Sequence, residues 1–192
     1  EQSVRQAAYI ALGLMSTVHA TDVLIDTFNN SRDYNAKCFA AVGLGLSGRN
    51  DAGDCLNNFF NLMAQKSSWR KVDNLLIASL LAAKTNTSVD YSENLLAMTT
   101  VMDKRRASDD MQVATINALA ATSNMKAIEV LVNNIDSRSA VVAESCITAL
   151  GRFGSKVATP GLIQAFEETN NPRIQGLIQL SLGQIADPKA AA

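Results

Sequence analysis

One histidine, three cysteines and an adjacent pair of glutamates are the main groups in this chain that could do chemistry. Their spacing decides against most of it. His19 is the sole imidazole, so a zinc or iron site that needs two or more histidines cannot be assembled within the chain. Cys38, Cys55 and Cys146 show neither metal-knuckle spacing nor the density of a disulfide framework. A cysteine nucleophile needs a base beside it, and one histidine cannot serve three candidates. Cys38 and Cys146 occupy the same place in an internal repeat, where another copy has Ala8. Buried packing of a small side chain is the reading for both, with a Cys38–Cys55 bridge as the alternative. Glu167 and Glu168 are neighbours on a helical pattern and point in different directions, as solvated surface residues do. Gly43-Leu44-Gly45 follows a helical pattern instead of a strand, which removes the setting of a phosphate-binding loop. His19 falls between helical patterns and reads as a solvated loop residue. No catalytic residue, metal or cofactor is assigned, and the chain is expected not to be an enzyme.

Charge offers more. Lys66, Arg70 and Lys71 surround Trp69 in one joint between helical patterns, and Lys104, Arg105 and Arg106 occupy the equivalent joint one repeat later. Equivalent joints of adjacent repeats share an edge, with helix axes ~10 Å apart. Six cations would then form a patch about one Debye length across, with Trp69 able to stack on a partner or on an arginine. Asp73, Asp103, Asp109 and Asp110 lie close in sequence and offset part of that field. Such an edge would attract an acidic protein segment or phosphate groups. The formal net charge of −1 lacks the basic surplus of a duplex-DNA binder. No apolar run approaches the ~20 residues of a membrane span. The first residues, Glu1-Gln-Ser-Val-Arg5, carry no leader pattern; a removed leader would leave none, and compartment stays open with a lean to the cytoplasm.

These side chains are carried on repeats. Val142-Val-Ala-Glu-Ser-Cys-Ile-Thr-Ala-Leu-Gly-Arg-Phe-Gly154 recurs as Val4 to Met15, Tyr34 to Leu46, Met111 to Thr122 and Ile174 to Ile185, with a looser copy from Asp73 to Lys84. Aligned by their endings, Ala11-Leu12-Gly13, Ala41-Val42-Gly43, Leu80-Leu81-Ala82, Ala118-Leu119-Ala120, Ala149-Leu150-Gly151 and Ser181-Leu182-Gly183 form one column. A glycine inside a helix costs ~1 kcal/mol relative to alanine, so a small residue repeated here implies close approach by a neighbouring helix. Leu12, Val42, Leu81, Leu119, Leu150 and Leu182 are expected in one continuous core. In the first copy Val4, Ala8, Ala11, Leu12 and Met15 follow the spacing of a helix face. Between the copies runs a second helical pattern with its own column, Leu24, Leu56, Leu95, Leu131 and Leu162. The joints carry turn chemistry, with Ser3 and Asn171-Pro172 reading as helix starts. With aromatics at only 5%, the core is left to aliphatic residues, which favours packed helices over a sheet.

The pattern Val4-Arg-Gln-Ala-Ala-Tyr-Ile-Ala-Leu-Gly13 resembles a HEAT repeat, particularly the short type of the phycobilisome-lyase proteins. Tetratricopeptide and ankyrin patterns fit worse. The resemblance implies an all-α solenoid over residues 1–192, about six antiparallel helix pairs stacked as a right-handed superhelix with the second helices on the concave side. Both ends look like interior cuts, since Ala186 to Ala192 matches Gly154 to Pro160 at the start of an outer helix. The chain is therefore expected to be a segment of a longer array, its ends packing on further repeats or another chain.

On a helical wheel the concave face would carry Gln6, Tyr9 and Ile10, then Phe39, Ser79, Asn117 and Thr148. That smooth, weakly polar groove suits a peptide or a helix. The leading expectation is a non-catalytic scaffold that binds a protein or peptide. The resemblance also implies two alternatives, a component of a bilin lyase and a nucleic-acid binder like the HEAT-like DNA glycosylases. No residue matches bilin handling, and the groove positions are nearly uncharged.

Overall fold

The computed structural model describes residues 2–66, 69, 72–105, 107–122 and 124–186, with the backbone alone at Gln2 and at 103–105. Among these residues every regular element is helical. The helices are α1 (Gln2–Met15), α2 (Val18–Asn30), α3 (Tyr34–Ser47), α4 (Asn50–Gln65), α5 (Asp73–Thr85), α6 (Ser92–Arg105), α7 (Asp109–Ala121), α8 (Lys126–Val132), α9 (Ala140–Phe153), α10 (Thr159–Glu168) and α11 (Pro172–Ala186). A 3₁₀ turn, Lys156–Ala158, leads into α10. Among the described residues this is the expected all-α arrangement of sequential helix pairs.

Local chemistry sets the helix ends. Thr17, Asp33 and Ser108 accept hydrogen bonds from the backbone N–H of Ala20, Asn35 and Met111, and so cap α2, α3 and α7. Asn171 accepts from the Arg173 N–H at 3.0 Å with Pro172 as the first helical residue, as the sequence implied. Gly48 and Gly154 end α3 and α9 in the left-handed region, at φ 62° and 65°. Ser16 takes the same conformation after α1, at φ 50°. Its hydroxyl donates to the Ser47 carbonyl, tying this turn to the end of α3.

The chain forms two compact units that part after Thr122, where the sequence reads as one array. In the first, α1, α3, α5 and α7 pack in succession as an inner row, and α2, α4 and α6 follow as an outer row. In the second, α8 packs on α9, α9 on α11 and α10 on α11. Leu24, Leu44, Leu56, Phe60, Leu76, Leu80, Leu95 and Met98 are completely buried in the first unit, and Leu131, Ile147, Leu150, Leu162 and Ile178 in the second. Each such side chain contributes roughly 1.5–3 kcal/mol.

The small residues lie where helices meet. A Cβ on Gly13 would fall 2.7 Å from the Gly43 Cα, and one on Gly45 would fall 2.7 Å from the Ala82 Cα. A Cβ on Gly151 would fall 2.9 Å from the Ser181 Cα. Gly13, Gly45 and Gly151 therefore face the next inner helix, and Gly43, Ala82 and Ser181 face the previous one. This corrects the sequence alignment. The triplet of α3 is Gly43-Leu44-Gly45, not Ala41-Val42-Gly43, and that of α5 is Ala82-Ala83-Lys84.

The shift explains the burial that departs from expectation. Leu81 is 50% exposed and Val42 half-buried, while Leu44 and Ala83 fill the inward position. Leu119 and Leu150 are buried as expected. Leu12 and Leu182 are half-buried, because α1 and α11 have an inner-helix neighbour on one side only among the described residues. For the same reason the face of α1 is open, with Val4 70% and Met15 61% exposed. Two smaller expectations also change. His19 lies within α2 and is exposed, and Ser3 lies inside α1 instead of capping it.

Polar ties join the repeats at their turns. The buried Asn86 side chain donates to the carbonyls of Leu44 at 3.2 Å and Arg49 at 3.1 Å. It thereby satisfies an orphan carbonyl of the last turn of α3. On the outer row, Asn94 donates to the Asn57 side-chain oxygen at 2.8 Å.

Candidate partner-binding site

Two grooves open at equivalent places, each between the outer-to-inner joints of consecutive helix pairs. The first has a volume of about 440 Å³ and lies between the end of α2 with the start of α3 and the end of α4 with the start of α5. The second, about 530 Å³, lies between the α8–α9 joint and the α10–α11 joint. Both volumes fall within the ~300–1,000 Å³ of ordinary ligand pockets. No helix among the described residues is long and apolar enough to cross a membrane.

The first groove has an aromatic floor. Outer helix α4 buries Leu56, Phe60 and Met63 as one stripe. Phe59 and Leu62 fall outside that stripe; Leu62 is 59% exposed. The Phe59 ring stands edge-on to Phe28 with centroids 5.2 Å apart. Lys37 and Lys66 supply the charge, and no carboxylate lines the groove. Lys37 donates from Nζ to the Asn29 carbonyl at 2.8 Å, which leaves two of its three donors. Nearby acids are engaged locally. Asp26 accepts from Asn30, and Asp33 caps α3.

The second groove is polar. Asp136, Arg138 and Glu168 line it together with Asn133, Gln164 and Asn171. Above its inner helices Arg173 meets Glu144 through two contacts, at 2.7 and 2.8 Å.

The basic edge anticipated from sequence divides. Lys66 is exposed and lines the first groove. Trp69 does not stack on a partner from the surface. It is only 3% exposed, and its indole N–H donates to the Met63 carbonyl at 2.9 Å beneath the groove. An indole with an apolar body and one donor is well suited to such a site. Arg70, Lys71 and Arg106 lie outside the described residues, as do the side chains of Lys104 and Arg105 at the end of α6. Asp73, Asp109 and Asp110 sit in the first turns of α5 and α7, where the helix dipole favours them.

The concave-face candidates distribute differently. Gln6, Tyr9, Ile10 and Phe39 are half-buried between inner helices. Ser79 is completely buried, and its hydroxyl donates to the Leu75 carbonyl at 2.7 Å, so it offers nothing to a partner. Asn117 and Thr148 likewise donate to Val113 at 2.9 Å and Glu144 at 2.8 Å, each one turn back on its own helix. Their polar groups satisfy local backbone before any ligand.

The three thiols are free. Burial pushes Cys146 up to about 12 and Cys55 up to about 11, the latter offset in part by a hydrogen bond with Asn29. Burial also raises Cys38, with the Asp33 carboxylate adding to it. Buried thiols with raised pKa values are poor nucleophiles. Cys146 is packed as the sequence implied; Cys38 is half-buried. Among the described residues no group of three His, Cys, Asp or Glu is placed to hold a metal ion.

The sequence reading missed the first groove, although a signal was present. Leu56, Phe59, Phe60, Leu62 and Met63 are more apolar residues than one buried stripe of α4 can absorb.

No curated protein matches the chain in sequence. A solved structure of human deoxyhypusine hydroxylase in complex with glycerol aligns over 97% of this chain and 80% of that one, at 13% identity and a TM-score of 0.45. A likeness that low carries no argument about activity. Family comparison is more specific: the HEAT-repeat profile matches residues 100–183. That segment runs from the last turns of α6 to α11, and the helix pairs before it repeat the same small-residue contacts.

Proposed function

We propose that the chain is a non-catalytic module that binds a segment of another protein. HEAT repeats commonly mediate protein binding. The observation that carries the reading here is the pair of grooves at equivalent outer-to-inner joints. Within each unit, neighbouring inner helices meet at glycine contacts, of Gly13 and Gly45 in the first and of Gly151 in the second. A groove at a joint between helix pairs can hold a bound chain without any chemistry of its own.

Panning the purified chain against a random-peptide library tests this. The reading predicts that selected peptides converge on a shared pattern and bind the soluble protein reversibly. Selection no better than on empty support would count against it. So would a shifted visible spectrum on adding a bilin, or salt-dependent retention on DNA.

A further inference from the structure

The two grooves share a position in the repeat but differ in lining, and the first is specific enough to name the chemistry of its occupant. Its floor is aromatic, with the Phe28 and Phe59 rings edge-to-face. Leu62 forms an exposed apolar lip. The charged groups that line it are Lys37 and Lys66, and neither makes an ion pair among the described residues. A groove that is apolar below and cationic at the rim complements a segment with the opposite arrangement, one large apolar side chain flanked by carboxylates.

We propose that this groove docks an acidic peptide segment, which inserts an aromatic or large aliphatic side chain against Phe28 and Phe59 and pairs its carboxylates with Lys37 and Lys66. The inference rests on the protein-binding reading and adds the partner's class. The anchor supplies most of the affinity, because a buried aromatic in a pocket is the usual hot spot. The lysines set selectivity and make binding fall as salt rises. The second groove, with Asp136 and Glu168 beside Arg138 in its lining, would hold the same segment less well.

The test uses a fluorescein-labelled hexapeptide of glutamates around one phenylalanine, followed by fluorescence anisotropy. Two controls replace the phenylalanine by alanine or the glutamates by lysines. The proposal predicts that each control binds at least tenfold more weakly than the probe. It also predicts that Lys37→Glu with Lys66→Glu weakens the probe at least tenfold, and that Leu62→Glu does so independently. Leu62 and Lys66 project outward, so unchanged helicity and melting should accompany Leu62→Glu. Lys37→Glu also gives up the bond to the Asn29 carbonyl, so the double variant is scored at a temperature where its helicity matches that of the parent chain. Binding of the probe that survives both variants, equal binding of the lysine control, or no binding of the probe would overturn it. If library peptides still bind when the probe does not, the groove's specificity fails while the protein-binding reading stands.

Discussion

Gly45 and Gly183 hold the same place in the repeat, yet one is closed and the other open. A Cβ on Gly45 would press into the backbone of Ala82, whereas no described atom lies within 4 Å of one on Gly183. The residue type was repeated, but its environment depends on whether another inner helix stands in front. A repeated small residue therefore marks a line along which helices can meet, and only the neighbour decides whether they do. Gly13 and Gly151 fall with Gly45 on the closed side; Gly176 falls with Gly183 on the open one.

Substitutions at closed and open positions should differ in size and in sign. The largest effect should come from the inward residue beside the closed line. Leu44→Ala removes a completely buried side chain and should cost about 2–5 kcal/mol in urea unfolding. Leu81→Ala, at a position the sequence alignment placed in the core column beside Val42, should cost under ~1 kcal/mol because half of the side chain is already solvated. Equal losses would break the corrected register. Next comes Gly45→Ala, where overpacking against backbone should cost about 1–3 kcal/mol and outweigh the better helix propensity.

Asn86→Ala should cost a similar or smaller amount, about 1–3 kcal/mol, since it removes the amide bonded to the Leu44 and Arg49 carbonyls. Amide exchange in the α3–α4 turn should rise in step. At the open position the sign reverses. Gly183→Ala should stabilise by up to ~1 kcal/mol, because propensity improves and no described atom is met. A loss there as large as that at Gly45 would show that the two positions do not differ.

The smallest effect is on the thiols. With Cys55 near 11 and Cys146 near 12, alkylation of these two thiols at pH 8 should be at least ~100-fold slower in the native chain than in urea. The fold favours the protonated thiols. Their stabilising contribution is therefore whole below about pH 9 and is lost as pH rises through those values.

Helix number, pairing and the close contacts of Gly13, Gly43 and Gly151 were legible in the sequence, because amphipathic spacing and repeated small residues are direct consequences of helix packing. The register of two copies was not. Ala41-Val42-Gly43 and Gly43-Leu44-Gly45 both fit a small–aliphatic–glycine pattern, and only the contacts to α1 and α5 distinguish them. Polar residues on the inner helices were also misleading. A serine or threonine facing a groove and one bonded to its own helix carbonyl look alike in sequence, and Ser79 and Thr148 are of the second kind. Trp69 looked like a surface aromatic among cations, but the Met63 carbonyl at the end of α4 gives its indole N–H a buried partner. The groove itself was readable only as the surplus of apolar residues on α4.

In the proposed binding mode, glycine contacts hold the inner helices together while the groove between the α2–α3 and α4–α5 joints takes the partner. Chemical-shift mapping of a library-selected peptide on the labelled chain tests it most directly. The account predicts perturbations concentrated at Phe28, Asn29, Lys37, Phe59, Leu62 and Lys66, with the Trp69 indole signal shifting from beneath the groove. Perturbations confined to the exposed face of α1 or to the polar groove of the second unit would contradict it.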